Sequence, residues 1–154
     1  MNLVLGKEEG VIKDSRFTTN LLLAWLKTNF TLTSKRIVGY KPNTLLGAIP
    51  LGKTEVTYPI KSVASVGVST KFHLSRFLLG GLLAAAGFLS VADSLGIGIL
   101  LVLLGAVPLF NCFTSTLNIS NNAGQVHHIE ISILEKDKVQ EFATTVNTTI
   151  AESA

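Results

Sequence analysis

A long apolar block in the middle of the chain restricts its possible folds more than any other feature. Residues Phe77–Phe113 contain one formal charge, at Asp93, and the other charged residues of the 154-residue chain lie outside this block. Without the block, the composition is close to that of an ordinary soluble domain. The pattern therefore indicates a small globular domain with one bilayer-sized apolar insert, and disfavours disorder, a disulfide scaffold and a wholly soluble enzyme.

The apolar block is too long for one membrane span and is interrupted near its middle by Ala92, Asp93 and Ser94. We expect two helices joined by a tight turn, at about 74–91 and 95–111, each near the lower length limit for crossing a bilayer. Small residues at helical spacing predict that the two helices pack closely, and they also allow self-association. The alternative is that both helices form the buried core of a larger soluble assembly.

Positive charges flank the start of this insert. Lys71 and Arg76 lie next to it, whereas the turn at Asp93 contains no Lys or Arg. We expect these three residues at the membrane interface. The positive-inside rule then predicts a multi-pass protein of the inner (cytoplasmic) membrane with both termini in the cytoplasm.

The segments on either side of the insert have short alternating apolar patterns separated by turn signals, which are typical of strands. Five strands are predicted before the insert and two after it. The last alternates Ile129, Ile131 and Ile133, on a buried face, with His128, Glu130 and Ser132, on a wet face. Near the end of the chain the apolar spacing changes to three and four, which predicts an amphipathic helix. Its apolar face consists of Val139, Phe142, Ala143, Val146 and Ile150.

Two short segments resemble motifs of a known domain family. Residues 29–38, NFTLTSKRIV, are similar to a hairpin motif of bacterial PH-like and GRAM-type domains, and residues 58–63, YPIKSV, are similar to a second motif in shortened form. The chain thus resembles a bacterial pleckstrin-homology (PH)-like protein with an inserted transmembrane hairpin. The resemblance implies a mainly β fold with α-helices, in which a seven-strand bent sandwich or partial barrel is capped by a C-terminal helix.

This resemblance also implies a division of the chain. Residues 1–72 would hold the first five strands of the PH-like domain, residues 73–113 the transmembrane hairpin, and residues 114–154 the last two strands and the C-terminal helix.

PH-like domains commonly bind phospholipid headgroups through basic loops, so the resemblance implies a lipid- or partner-binding site. Such charges attract an anionic leaflet by about 1 kcal/mol each. The alternative is that they belong to a solvated hairpin tip. The candidate residues are Lys13, Arg16, Lys35, Arg36 and Lys41.

No group of residues in the sequence suggests catalysis. His127 and His128 are adjacent, so on a strand they point to opposite faces and cannot share a metal ion. Cys112, the only cysteine, is interpreted as an apolar filler rather than an acylation site. We predict no catalytic residue, metal or cofactor, and the dispersed Lys and Arg residues do not indicate nucleic-acid binding.

Together these patterns favour a non-enzymatic integral membrane protein whose cytoplasmic PH-like domain is a protein-interaction or scaffolding module. One alternative is a phospholipid-headgroup-sensing module, and another is a homo-oligomeric pore or accessory subunit of a membrane transport complex. The expected partners are the lipid bilayer, another membrane protein or a second copy of the chain, and anionic phospholipid. The sequence leaves open whether Leu21–Leu26 also contacts the membrane.

Overall fold

A computed structural model of the chain describes residues 4–22, 25–45 and 49–153. Within these ranges the chain forms seven strands and three α-helices. Two short 3-10 turns lie at Ile60–Ser62 and Ile133–Glu135. In chain order the strands and helices are β1 (Val11–Thr18), β2 (Lys27–Thr33), β3 (Arg36–Leu45), β4 (Ile49–Pro59), β5 (Val63–Phe72), α1 (Leu74–Ser90), α2 (Leu95–Phe110), β6 (Phe113–Asn121), β7 (Val126–Ser132) and α3 (Lys136–Ser153).

The strands form two antiparallel sheets, one with the order β1-β2-β3-β4 and the other with the order β5-β6-β7. The core lies between the sheets and α3. At its centre the rings of Phe17, Phe30 and Phe142 have centroids 5.9 to 6.5 Å apart. These rings come from β1, β2 and α3, and each buried aromatic side chain contributes roughly 1.5–3 kcal/mol of apolar burial. The aromatic cluster therefore joins the C-terminal helix to the first sheet.

The β domain has two ends, which are named here by what lies at each. At the helix-pair end, β5 stops and β6 begins at the paired residues Phe72 and Phe113, and the chain between them forms α1 and α2. At the turn end lies the tight turn between β2 and β3, where the Ser34 amide donates to the Gly10 carbonyl oxygen at 2.9 Å.

Helices α1 and α2, called the helix pair below, lie antiparallel and pack mainly on each other. Among the described residues, none of the three helices combines the length and the apolar character that crossing a membrane requires. The predicted transmembrane hairpin is therefore wrong, and so is the predicted fold class. The described chain is instead a mixed α/β structure with two antiparallel sheets and three helices.

The physical reason for this correction is the length of the two helices. Helix α1 has 17 residues and α2 has 16, because Val91 and Asn111, which the sequence assigned to the spans, lie at the helix caps. At 1.5 Å per residue the helices rise roughly 25 and 24 Å, whereas the hydrocarbon core is about 30 Å thick.

Several further predictions depended on those spans and are wrong with them. They are the multi-pass placement in the cytoplasmic membrane with both termini in the cytoplasm, and the three predicted functions. The scaffold, the headgroup-sensing module and the pore or transport subunit each assumed a chain held in the bilayer by two crossing helices. No described helix provides such a crossing.

Candidate functional site

The outer surface of the helix pair is apolar on every side. From Phe77 to Phe110 the only charged residue is Asp93, which lies at the turn between the helices. A helix without a polar stripe has no face suited to water. Fourteen large apolar side chains of the pair are 42 to 79% exposed: Leu74, Phe77, Leu78, Leu79, Leu82, Phe88, Leu89, Leu95, Ile97, Ile99, Leu100, Leu103, Leu104 and Phe110.

Glycines form the inner face of the helix pair. A Cβ atom added to Gly80 would lie 2.7 Å from the Gly105 carbonyl oxygen, and one added to Gly105 would lie 2.7 Å from the Ala84 nitrogen. Gly87 and Gly98 approach the opposite helix as closely, nearer to the turn. Because the two backbones meet at these glycines, the helices lie close together, and the fourteen large side chains named above remain exposed outside this contact.

A polar cluster joins the first turn of α1 to β7. The Arg76 guanidinium donates to Glu130 Oε2 at 2.8 Å and to the Asn111 carbonyl oxygen at 3.3 Å. His73 Nε2 lies 3.0 Å from Thr114 Oγ1 and 3.3 Å from Glu130 Oε1. Desolvation lowers the pKa of His73 below its ordinary value, although the Glu130 carboxylate acts in the opposite direction. The cluster therefore holds the first turn of α1 against the β domain, and its histidine favours the neutral form. The place where α1 begins and α2 ends is called the root of the helix pair below.

A buried asparagine pair fixes the root of α2. Asn111 directly follows α2, and its Oδ1 accepts a hydrogen bond from the Leu21 amide at 2.7 Å. Its Nδ2 donates to Asn20 Oδ1 at 3.0 Å. Both asparagine side chains are buried. The helix pair is thus bonded to the connection between β1 and β2. The described residues of this connection from Asn20 onward, 20–22 and 25–26, are called the Trp25 loop below.

Aromatic rings surround the root of the helix pair. The ring centroid of Phe72 lies 5.7 Å from that of Phe77 and 4.9 Å from that of Phe113. All three rings are about half exposed, and Lys71 next to them is exposed. The root therefore carries side chains with an apolar body, together with an exposed cation, between the polar β domain and the apolar helices.

The five basic residues predicted as a binding site have different surroundings. Lys13 Nζ lies 2.6 Å from Glu141 Oε1 on α3, and this contact lowers the pKa of the Glu141 carboxyl. Lys35 Nζ donates to the Lys7 carbonyl oxygen at 2.6 Å. Arg36 binds the carboxylate of Glu9. Three of the five cations are therefore engaged by the chain itself.

Arg36 holds the segment before β1 against the sheet. Its Nε donates to Glu9 Oε1 at 2.9 Å, while the Thr33 hydroxyl donates to the same oxygen at 2.7 Å. The Gly6 amide donates to the other carboxylate oxygen at 2.7 Å. These bonds, with that of Arg36 the strongest, lower the pKa of Glu9 from 4.5 to about 2. The Glu9 side chain is only 3% exposed, so Arg36 stabilises the fold at this position.

The remaining two basic residues are Arg16 and Lys41. Arg16 is exposed on β1, and Lys41 lies on β3 with its side chain outside the described part of the structure. Lys35 and Arg36 lie at the turn end, away from the helix pair. Of the four basic side chains that the structure describes, two therefore lie at the turn end, that of Lys13 is bound to α3, and that of Arg16 is exposed farther along β1.

The predicted interface residues do lie on or beside the helix pair. Lys71 is exposed at the end of β5, Arg76 belongs to the root cluster, and Asp93 is exposed at the turn between α1 and α2. Sequence reasoning missed Asn111 and its partner Asn20. They are far apart in the sequence, and no local pattern signals that they pair.

The two remaining histidines and the cysteine have separate surroundings. The ring of His127 packs on that of Tyr58 with centroids 5.1 Å apart, and His128 Nδ1 lies 2.7 Å from Asn118 Oδ1. Cys112 is buried. Within the described ranges no three His, Cys, Asp or Glu side chains come together to hold a metal ion.

Comparisons of the chain with protein-family models, with curated proteins and with solved structures give no match. The resemblance to PH-like domains therefore stays a prediction.

Proposed function

We propose that the protein is a non-enzymatic attachment module that binds a lipid bilayer by burying its helix pair in the apolar layer from one side, without crossing it. The observation that carries this proposal is the apolar outer surface of the pair on every side. A protein partner of ordinary size covers one side of two helices and leaves the other side in water, where polar residues are needed. Lipid chains surround both helices completely.

The free energies involved favour this binding. Full burial of a large apolar side chain is worth about 1.5–3 kcal/mol, so each half-exposed one gains roughly 1 kcal/mol on leaving water. The fourteen exposed side chains together are then worth on the order of 10 kcal/mol. The opposing cost of placing Asp93 in the apolar layer is about 2.5–3.5 kcal/mol, which is considerably smaller.

The root of the helix pair also suits a bilayer surface. The half-exposed rings of Phe72, Phe77 and Phe113 and the exposed Lys71 lie where the apolar helices meet the polar domain. Phenylalanine is common on the apolar face of helices that bind at the boundary between lipid and water, and a lysine there keeps its charge on the water side.

Flotation with vesicles tests the proposal. We expect the full chain, synthesised in a cell-free reaction with phosphatidylcholine vesicles, to rise with them in a density gradient. Leu82→Gln combined with Leu103→Gln replaces one outward leucine on each helix, and should weaken binding by about tenfold or more, because two exposed leucines leave the lipid.

The matched control is Val11→Gln combined with Val126→Gln, which changes two exposed apolar residues at the turn end. This variant should float like the original chain. If the chain formed a discrete oligomer that stayed at the bottom of the gradient, the helix pairs would be covering one another, and the proposal would be wrong. Equal flotation of both double variants would do the same.

A further inference from the structure

We infer that the Trp25 loop is a second bilayer contact, which lies among the lipid headgroups and sets how deeply the helix pair enters. This inference rests on the proposed function. It adds a contact from a part of the chain that precedes the helix pair by about fifty residues.

The Trp25 loop is apolar where a connection between two strands is normally polar. Residues 20–26 read NLLLAWL, and residues 23 and 24 lie outside the described part of the chain. The side chain of Leu26 is 4% exposed and belongs to the core, whereas Leu22 is 42% and Trp25 70% exposed. The buried Asn20 and Leu26 therefore anchor the loop, and Leu22 and Trp25 present large apolar side chains to the outside.

Hydrogen bonds place these side chains level with the root of the helix pair. The Thr19 amide donates to the Leu26 carbonyl oxygen at 2.9 Å and closes the loop at the end of β1. The Leu21 amide then donates to the side chain of Asn111, which is the first residue after α2. If the helix pair is buried in lipid up to its root, the Trp25 loop reaches the surface of the same bilayer.

The chemistry of the exposed residues fits that depth. The indole of Trp25 has a large apolar ring and one N–H donor, which suits the region where lipid chains meet headgroups. Lys27, which follows the loop, is exposed and carries a charge that prefers the water side. The occupant that we assign to this surface is therefore the lipid headgroup layer.

Fluorescence of the full chain tests this directly, because Trp25 is the only tryptophan. On addition of phosphatidylcholine vesicles, with or without phosphatidylglycerol, its emission should shift to shorter wavelength. Lipids brominated near the headgroup should quench it more than lipids brominated near the chain ends. Flotation of the same samples measures binding by the helix pair independently.

The outcomes separate the two claims. If the chain floats but the emission and quenching of Trp25 do not change, this inference is wrong and the proposed function stands. If the chain does not float, the proposed function itself fails and the inference fails with it. Trp25→Ser should also lower vesicle affinity severalfold, whereas Val126→Ser at the turn end should not, and equal affinity of the two variants would count against the Trp25 contact.

Discussion

Arg36 and Glu9 show how much single polar residues contribute to the arrangement of this protein. The Glu9 carboxylate accepts bonds from a guanidinium, a hydroxyl and a backbone amide, all within a nearly buried site. At the other end of the domain, Asn111 performs a similar task with uncharged groups. Glu9 and Asn111 each bind groups that are distant in the sequence, so each holds two parts of the chain together.

The lowered pKa of Glu9 predicts a specific loss of stability in acid. The pKa of Glu9 is about 2 in the folded chain against an ordinary 4.5, so the unfolded state binds the proton more readily. The stability that Glu9 contributes is complete above about pH 5 and is lost as the pH falls toward 2. Thermal unfolding of the chain in detergent micelles, followed by circular dichroism, should show Glu9→Gln to be less stable at pH 7, with the difference vanishing near pH 2.

Glu8→Gln is the matched control, because Glu8 is next to Glu9 in the sequence but its side chain is exposed. It should unfold at the same temperature as the original chain at pH 7. A constant difference between Glu9→Gln and the original chain across the whole pH range would contradict the assignment of the lowered pKa.

Among the elements, the helix pair depends on glycine for its close contact. A Cβ atom on Gly105 would lie 2.7 Å from backbone atoms of α1, whereas a Cβ atom on Gly81 of α1 would meet nothing within 4 Å. Both positions are inside helices, so alanine improves helix propensity equally at each. Any difference between the two alanine variants therefore reports the packing between α1 and α2.

We predict that Gly105→Ala destabilises the helix pair relative to Gly81→Ala by about 1–3 kcal/mol, because the two helices must move apart. Amide hydrogen exchange of α1 and α2, measured with the protein in micelles or vesicles, provides the comparison. Equal protection in both variants would mean that the backbones do not meet at Gly105.

The elements also show where local patterns were sufficient. The predicted apolar face of the last helix, at Val139, Phe142, Ala143 and Val146, lies in the core as part of α3. The alternation at Ile129 and Ile131 lies in β7 with both side chains buried, whereas at the end of the strand Ser132 is buried and Ile133 already belongs to the following turn. These patterns were reliable because their periods of 3.6 and 2 residues are properties of a short segment.

Other boundaries could not be obtained in this way. Strand β1 extends to Thr18 because it pairs with β2 as far as Lys27, and no local pattern marks that end. Helix α2 ends at Phe110 instead of Asn111, whose side chain binds the Trp25 loop. In each case a partner from another part of the chain decides where the element ends.

For the molecule as a whole, the helix pair is inserted between two strands that pair directly with each other. Phe72 and Phe113 are direct partners in the ladder between β5 and β6, and the His73 amide donates to the Cys112 carbonyl oxygen at 2.7 Å. A chain in which Asn-Gly replaces residues 73–112 would join these strands by a two-residue turn, the loop length that antiparallel pairs favour.

We expect this deletion variant to fold and to lose vesicle binding. The loss of the polar bonds at the root should lower its free energy of unfolding by about 1–3 kcal/mol, while the aromatic core stays intact. Circular dichroism and dispersed methyl signals in a proton NMR spectrum measure folding, and flotation measures binding. A variant that does not fold would show that the helix pair is needed for the core, and one that still floats would place the lipid contact elsewhere.

The amino-acid sequence by itself determined that residues 77–113 are apolar with a single charge, that the flanking segments alternate as strands and that the last segment is an amphipathic helix. All three follow from composition and from the spacing of apolar residues, which can be read within a short segment of the sequence. Only the tertiary structure decided that the two apolar helices are too short to cross a membrane, that they lie close together at glycines, and that Asn111 holds the Trp25 loop at their root. These features depend on contacts between residues far apart in the chain, for which a single sequence carries no local signal.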